Sequence, residues 1–207
     1  MSYFAIHRRR AAVLIVAVLL GSCSLLVPTV KNQLSELRSG QYSIDKKHAS
    51  LIFKIGHMKL STFVGRFNDV DASLDFDPAN IAATKLDAQV NVASIDVNNV
   101  DLEESLRGGS WFDTNKFPQA TFTTLSVEPV SGNTFRFTGN LTLHGVTAPV
   151  TLDVTFHGGG DDMLTGFYTL GFSATGTIKR STFGIDSYIP MVGDDVALEV
   201  YAEFQKR

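Results

Sequence analysis

Cysteine is almost missing from this chain: Cys23 is the sole one in 207 residues. No internal disulfide can form, and no Cys/His set with zinc spacing exists. Tryptophan is also reduced to one residue. Neither sign of charge dominates, with 18 Lys and Arg against 21 Asp and Glu. No basic cluster lies in the strand-rich region, which excludes a nucleic-acid partner. The chain has no Gly-x-Ser-x-Gly elbow, no Walker loop and no Gly-x-Gly-x-x-Gly opening a helix, so the common nucleophile and nucleotide chemistries have no footing. No cofactor is implied.

What is present begins with an address. His7-Arg8-Arg9-Arg10 precedes the apolar run Ala11 to Leu20, the arrangement of a signal peptide and too short to span a bilayer comfortably. Leu20-Gly21-Ser22-Cys23 follows and resembles a bacterial lipobox, with Cys23 as the lipidated residue. A plain secretory signal with Cys23 left free or discarded is the alternative. Ser24 after Cys23 favours the outer membrane. The expectation is residues 1–23 as a signal peptide, 24–40 as a tether with a short helix inside Val30 to Arg38, and 41–207 as one domain. The mature protein is then placed in the bacterial periplasm, lipid-anchored through Cys23 to the outer membrane.

Within the domain, alternation of apolar and polar residues is the main signal. Leu51, Phe53, Ile55 and His57 share one parity; Leu86, Ala88, Val90 and Val92 share another; so do Val150, Leu152, Val154 and Phe156. Residues two apart lie on one face of a strand, so these are antiparallel strands with one buried side. Strands are expected over 41–45, 49–58, 85–97, 120–129, 134–144, 149–157, 166–179, 183–188 and 194–204. Two more are expected between Ser61 and Asp77, broken at Asn68-Asp69, where the parity changes. Asn99 or Asp101 caps a single short helix, Leu102 to Arg107, which Gly108-Gly109 stops. Gly158-Gly159-Gly160-Asp161-Asp162 reads as a hairpin tip. The fold class is all-β, an antiparallel lipocalin-like barrel of about eight strands with one short α-helix near its mouth. A barrel of that size either fills its interior or holds one small apolar ligand.

Parity nominates the interior: Phe53, Ile55, Phe63, Phe67, Leu86, Val90, Leu141, Leu143, Leu152, Val154, Phe172 and Leu198. His57 shares the face of Phe53 and Ile55 and is the best polar candidate inside. His144, just before Gly145, reads as a turn residue bonded to backbone. The pairs Glu103-Glu104 and Asp194-Asp195 diverge on their elements and make no acid/base couple.

Several motifs in order then resemble the YceI-like family. They are Tyr42-Ser43-Ile44-Asp45 with His48-Ala49-Ser50, Gly65-Arg66-Phe67, Phe76-Asp77-Pro78, Ser105-Leu106-Arg107 with Trp111-Phe112-Asp113, and Phe117-Pro118-Gln119-Ala120-Thr121-Phe122. Gly139 to Thr147 and Arg180-Ser181-Thr182-Phe183-Gly184-Ile185 complete the set. The resemblance covers about residues 41 to 207. It implies a lipocalin-like barrel that binds a long isoprenoid, such as a polyprenyl diphosphate or a polyprenyl quinone, without catalysis. It adds Ser105 and Trp111 to the candidate ligand-binding residues. Ser105 stands where the family often has a His, and Leu102 where an Arg is usual, so a different or less charged head group is implied. The partners expected are an isoprenoid or other lipid and a membrane, with a homodimer possible through exposed strand edges. Two alternatives stay open: a lipid-acting enzyme using His57 as acid/base, and a structural or stress-response lipoprotein with a filled barrel.

Overall fold

The computed structural model describes residues 29–207. The signal segment, the lipobox and Cys23 lie outside the described residues. Ten strands carry the fold: β1 (Gly40–His57), β2 (Ser61–Phe67), β3 (Val70–Phe76), β4 (Lys85–Asn91), β5 (Ile95–Asp96), β6 (Gln119–Ser131), β7 (Thr134–Leu143), β8 (Val146–Asp161), β9 (Tyr168–Lys179) and β10 (Val192–Lys206). One α-helix, α1 (Val100–Arg107), sits between β5 and β6.

All pairings are antiparallel, and the ladder runs β10-β9-β8-β7-β6-β4-β3-β1. β10 also pairs with β1, so these eight strands close a ring. A closed ring leaves no free edge in the barrel wall. β1 is long enough to serve two neighbours on its other edge. Gly40 to Ser43 pair with β3, whereas Leu51 to His57 pair with β2. β2 in turn carries β5. The barrel therefore closes tightly at the end where β1 starts. It splays at the end where β1 finishes, between β2/β5 on one side and β4/β6 on the other. Asn91 to Leu106 bridge that gap.

Several expectations change here. The predicted strands 41–45 and 49–58 are one strand with a bulge. From Ile44 to Ala49 the chain advances five positions while β10 advances only from Phe204 to Ala202. That odd surplus flips the parity, so Tyr42 and Ile44 face inward together with Leu51, Phe53 and Ile55. Asp45 staples the bulge: its carboxylate accepts from Lys47 N at 3.0 Å, His48 Nδ1 at 2.9 Å and Gln205 Nε2 at 2.7 Å. The strand expected over 85–97 ends at Asn91. There the Asn91 side chain accepts from Ala93 N at 3.2 Å and starts a 3-10 turn, Val92–Ser94. Residues 183–188 form no strand: a 3-10 turn, Arg180–Phe183, ends at Gly184 in the left-handed region (φ 73°). The helix agrees with expectation. The Asn99 side chain caps it by accepting from Leu102 N at 3.1 Å, and Gly108 follows its last residue.

The triglycine segment is the clearest correction. Gly158 to Asp161 belong to β8, and all three glycines are buried. The reason is long-range. Residues 29–31 lie across them, and Lys31 exchanges two backbone hydrogen bonds of 2.8 Å with Gly159. A Cβ on Gly158 would stand 2.3 Å from Val30 Cγ1, and one on Gly160 would stand 2.7 Å from Thr29 O. Only bare backbone admits this close approach. The expected short helix in the tether is reduced to a 3-10 turn, Leu34–Glu36. Leu37 is buried in the core, and Arg38 grips Asp161 through two bonds of 2.7 and 2.8 Å. From Thr29 onward this segment is a strap docked on the barrel.

Candidate functional site: an apolar chamber with one polar wall

The two ends of the barrel are built differently from the same alternating strands. At the tight end Tyr42, Leu74, Phe76, Phe156, Leu170 and Phe204 are buried against one another. Phe156 packs with Phe76 at 6.3 Å and Phe172 at 5.4 Å between ring centroids, and Phe172 meets Phe204 edge-on at 5.8 Å. Tyr42 donates its hydroxyl to Arg38 O at 2.5 Å, so the strap satisfies this polar tip of the plug. Burial pushes the Tyr42 hydroxyl far above the usual phenol range, and it stays neutral.

Toward the splayed end the inward side chains lack partners. Leu51, Phe53, Phe63, Phe67, Leu141, Leu143 and Leu198 all point into the barrel yet remain only partly buried. The space between them is a hollow in two connected parts. The upper chamber holds about 370 Å³ and the lower about 170 Å³. Leu51, Val90, Leu141 and Leu198 line both, which makes them the neck between the parts. Helix α1 covers one side of the upper chamber with Leu102 and Leu106. Trp111 and Phe112, from the irregular segment after it, extend the cover. Phe112 meets Phe67 edge-on at 5.8 Å and fixes that side of the roof. The helix expected near the barrel mouth thus sits there, with this aromatic segment beside it.

Of the residues nominated from sequence, Phe53, Ile55, His57, Phe63, Phe67, Trp111 and Leu143 line the upper chamber. Leu86, Leu152, Val154 and Phe172 line the lower one, and Val90, Leu141 and Leu198 face both. Ser105 is the exception. It sits on the exposed side of α1 and donates its hydroxyl back to Asp101 O at 2.9 Å, turned away from the hollow. In a helix, the residue beside the buried Leu106 points about a third of a turn away from it. His57 stands at the rim and is exposed. His144 is a turn residue with φ 51°, its Nδ1 3.0 Å from Phe183 O, which ties the β7–β8 turn to the loop after β9.

Sequence reasoning missed Arg180. It is 4% exposed and lines the upper chamber. Its Nε donates to Gly193 O at 2.7 Å, Nη1 to Ile185 O at 2.9 Å, and Nη2 to Ser187 O and Val192 O at 2.9 Å each. It thereby gathers the loop between β9 and β10 around one guanidinium. Burial holds Arg180 below the usual guanidinium value, opposed by the fields of Asp194 and Asp186. A guanidinium nevertheless stays charged. The signal is weak: Ile178 faces inward near the end of β9, but Arg180 lies past that end, in the 3-10 turn, where strand parity does not apply.

Among the described residues, the only cluster of acidic and His groups spaced for a metal is Asp45, His48 and Glu203. It lies at the β1 bulge, with His48 and Glu203 exposed on the outer face. A broad, shallow depression lined by Arg136, Asp153, Thr175 and Glu199 also lies on the outer face. Its charges pair with one another or with Lys54, as expected for a solvated barrel wall.

Comparison with known proteins agrees with this architecture. A model of the YceI-like domain matches residues 42–204. A UPF0312 protein of Pectobacterium atrosepticum is 40% identical over 167 residues, covering 80% of this chain and 86% of that protein. A UPF0312 protein of Yersinia pestis shows the same identity and coverage. Among solved structures, BcnA of Burkholderia cenocepacia superposes with a TM-score of 0.71 at 27% identity, over 77% of this chain and 98% of that one. The YCEI protein of Campylobacter jejuni gives a TM-score of 0.66 at 32% identity, over 74% of this chain and 91% of that one. A polyisoprenoid binding domain from Saccharophagus degradans, at 14% identity and a TM-score of 0.60, shares the fold. With its closed eight-stranded barrel, its helix at the mouth and these relatives, the chain belongs to the YceI-like family.

Proposed function

We propose that the barrel binds the hydrocarbon chain of an isoprenoid or a similar lipid, without chemical change, to store, shield or carry it in the cell envelope. One observation carries the reading: inward apolar side chains at the splayed end stay partly uncovered around a hollow of about 370 Å³ that their own packing does not fill. A protein interior packs to crystal-like density unless something else fills the space. A hydrocarbon chain would gain about 0.8 kcal/mol for each methylene it buries, less the cost of ordering the tail. Such a ligand needs few polar partners, in keeping with walls that are almost wholly aliphatic and aromatic. The structural likeness to a polyisoprenoid binding domain supports the same ligand class. His57, the acid/base candidate of the enzymatic reading, has no carboxylate within ion-pair distance among the described residues, which favours binding over catalysis.

We further propose that Cys23 carries a lipid and anchors the protein in the periplasm. The docked strap bears on how such an anchor would hold the barrel. Thr29 lies over Gly160, which pairs with Thr169, and Thr169 pairs with Gln205 near the tight end; His57 and Val192 mark the opposite end. The mouth would then face away from the anchoring membrane, and cargo would pass outward from it.

The test is native mass spectrometry of the protein purified from bacteria, followed by organic extraction. An extra mass that leaves with the solvent is expected. Protein that is repeatedly free of lipid and that takes up no added polyprenol contradicts the proposal.

A further inference from the structure

The turn between β8 and β9 carries three large apolar side chains in water within five residues. Met163 is 66% exposed, Leu164 77% and Phe167 47%. One such residue on a surface is ordinary, but three on a single tip form a patch that calls for a partner. The tip is a built turn. Asp162 folds beneath it, its carboxylate accepting from Leu164 N and from the Thr165 hydroxyl at 2.8 Å each. Asp162 N donates to Phe167 O at 2.8 Å, Gly166 N donates to Asp162 O at 2.8 Å, and Gly166 takes the left-handed φ of 75° that closes the turn. This framework engages the turn's carboxylate and holds its apolar side chains outward.

The strap leads to the same tip. The bridge between Lys31 and Gly159 is antiparallel, and Thr29 lies over Gly160, so the described chain, traced back to its start, runs toward the turn. Farther along the strap, Arg38 bonds Asp161 and lies 4.3 Å over the Tyr168 ring. Asp161 and Tyr168 are the last pair of β8 and β9 before the turn. Strap and tip are therefore one unit, clamped on both strands. Thr29 comes six residues after Cys23, a reach of about 20 Å at full extension. From Gly160 to Leu164 the chain spans at most about 14 Å. Exposed apolar side chains also occur at the mouth, at Met58, Leu60 and Met191. The short tether, however, brings the tight end to a bilayer that holds Cys23.

We propose that the β8–β9 tip, with Met163, Leu164 and Phe167, is a membrane-docking surface that dips into the bilayer in which Cys23 is anchored. The inference rests on the anchor reading above and goes beyond it by giving the barrel a second, non-covalent contact with the same membrane. A lipid on Cys23 alone holds the barrel near the bilayer but lets it pivot. A rigid apolar tip beside the tether fixes the barrel axis, because sinking its side chains removes apolar surface from water. The mouth is then held away from that membrane.

The experiment uses full-length lipidated protein in vesicles of phosphatidylethanolamine and phosphatidylglycerol. With Cys23 blocked by its lipid, Leu164→Cys supplies the single thiol for a nitrobenzoxadiazole label. Met163→Cys repeats the reading at the next position, and Leu60→Cys reports the mouth. The expected result is blue-shifted emission and quenching by spin-labelled lipid at least about twofold stronger at 163 and 164 than at 60, as for groups sunk roughly 5–10 Å into the head-group and acyl boundary. Equal or stronger quenching at 60 overturns the proposal, since the barrel then pivots or lies mouth-down. A blue shift at 164 without quenching also overturns it, because protein covers the tip, either residues 24–28 or a second copy. Mass spectrometry and vesicle flotation of the same preparation keep the two readings apart. Protein that carries no lipid on Cys23 and does not float overturns the anchor and the tip with it. Lipidated, floating protein with an unquenched tip overturns the tip alone.

Discussion

The tight end and the splayed end of this barrel share strands, alternation and residue types, yet one is closed by interlocking rings and the other opens into the larger chamber. At the tight end each inward ring meets another inward ring: Phe76, Phe156, Phe172 and Phe204 touch in succession. The strap seals that end from outside through Lys31, Leu37 and Arg38. At the splayed end β1 leaves β3 for β2, which carries only the short β5, and inward residues of β1, β7 and β10 line the larger chamber. Filling is thus decided by how the strands diverge, not by how apolar they are. The packed end supplies stability, which frees the open end to be an imperfect core.

That comparison can be broken by truncating one ring in each half. Phe156→Ala, in the plug, is expected to lower unfolding free energy by about 3–5 kcal/mol, because a buried ring leaves a cavity its neighbours cannot close. Phe53→Ala, on the wall of the hollow, is expected to cost clearly less, about 1–2 kcal/mol, since the ring already borders empty space. Denaturant melts of both variants measure the difference. Equal losses would mean that the two halves are packed alike.

A filling substitution sharpens the same contrast. Leu143→Trp places a larger side chain in the upper chamber. It is expected to reduce affinity for a long prenol by about tenfold or more, with stability changed by less than about 1.5 kcal/mol, because added volume enters a void rather than a packed core. Isothermal titration and thermal melting read the two effects separately.

The strap offers a third test. Gly160→Val would drive a side chain into Thr29 O. The expected outcome is release of residues 29–31, seen as faster tryptic cleavage after Lys31. A loss of roughly 1–2 kcal/mol in stability should accompany it, within the usual range for a disrupted close contact.

The smallest effect lies at the β1 bulge. A hydrogen bond from His48 holds the Asp45 carboxyl below the usual carboxylate range, and the same contact raises His48 above its ordinary 6.5. The His48 share of this stabilisation is fully present below that ordinary value and is lost as pH rises through the raised one. The Asp45 share is present above the ordinary carboxylate value and is lost as pH falls through the lowered one. The staple is thus strongest between the two. An NMR titration of His48 should show a midpoint above 6.5 that returns toward it in Asp45→Asn.

Much of this architecture is legible in the residues, for local reasons. The parity change between Phe67 and Val70 marks the β2–β3 break, and Asn99 followed by an acidic first turn marks α1. Inward alternation in β1, β4, β7 and β8 names most of the chamber wall. What escapes has long-range causes. Three glycines in a row look like a turn until residues 29–31 are laid across them. The bulge at Asp45 to His48 resembles a gap between strands because its staple comes partly from Gln205. Ser105 is drawn to the site by resemblance alone, while helix geometry turns it outward. Arg180 lies one residue past the end of β9, where parity no longer applies, and a charge there looks like surface until the loop that envelops it is seen.

The central claim is that the splayed half encloses a hollow of finite length that takes a hydrocarbon chain. The most direct measurement is the affinity of the full-length protein for a series of prenols of increasing length. The account predicts affinity that rises with each added isoprene unit and then levels off once the chamber and its lower extension are full. Affinity that does not depend on chain length, or no saturable binding at any length, would contradict it.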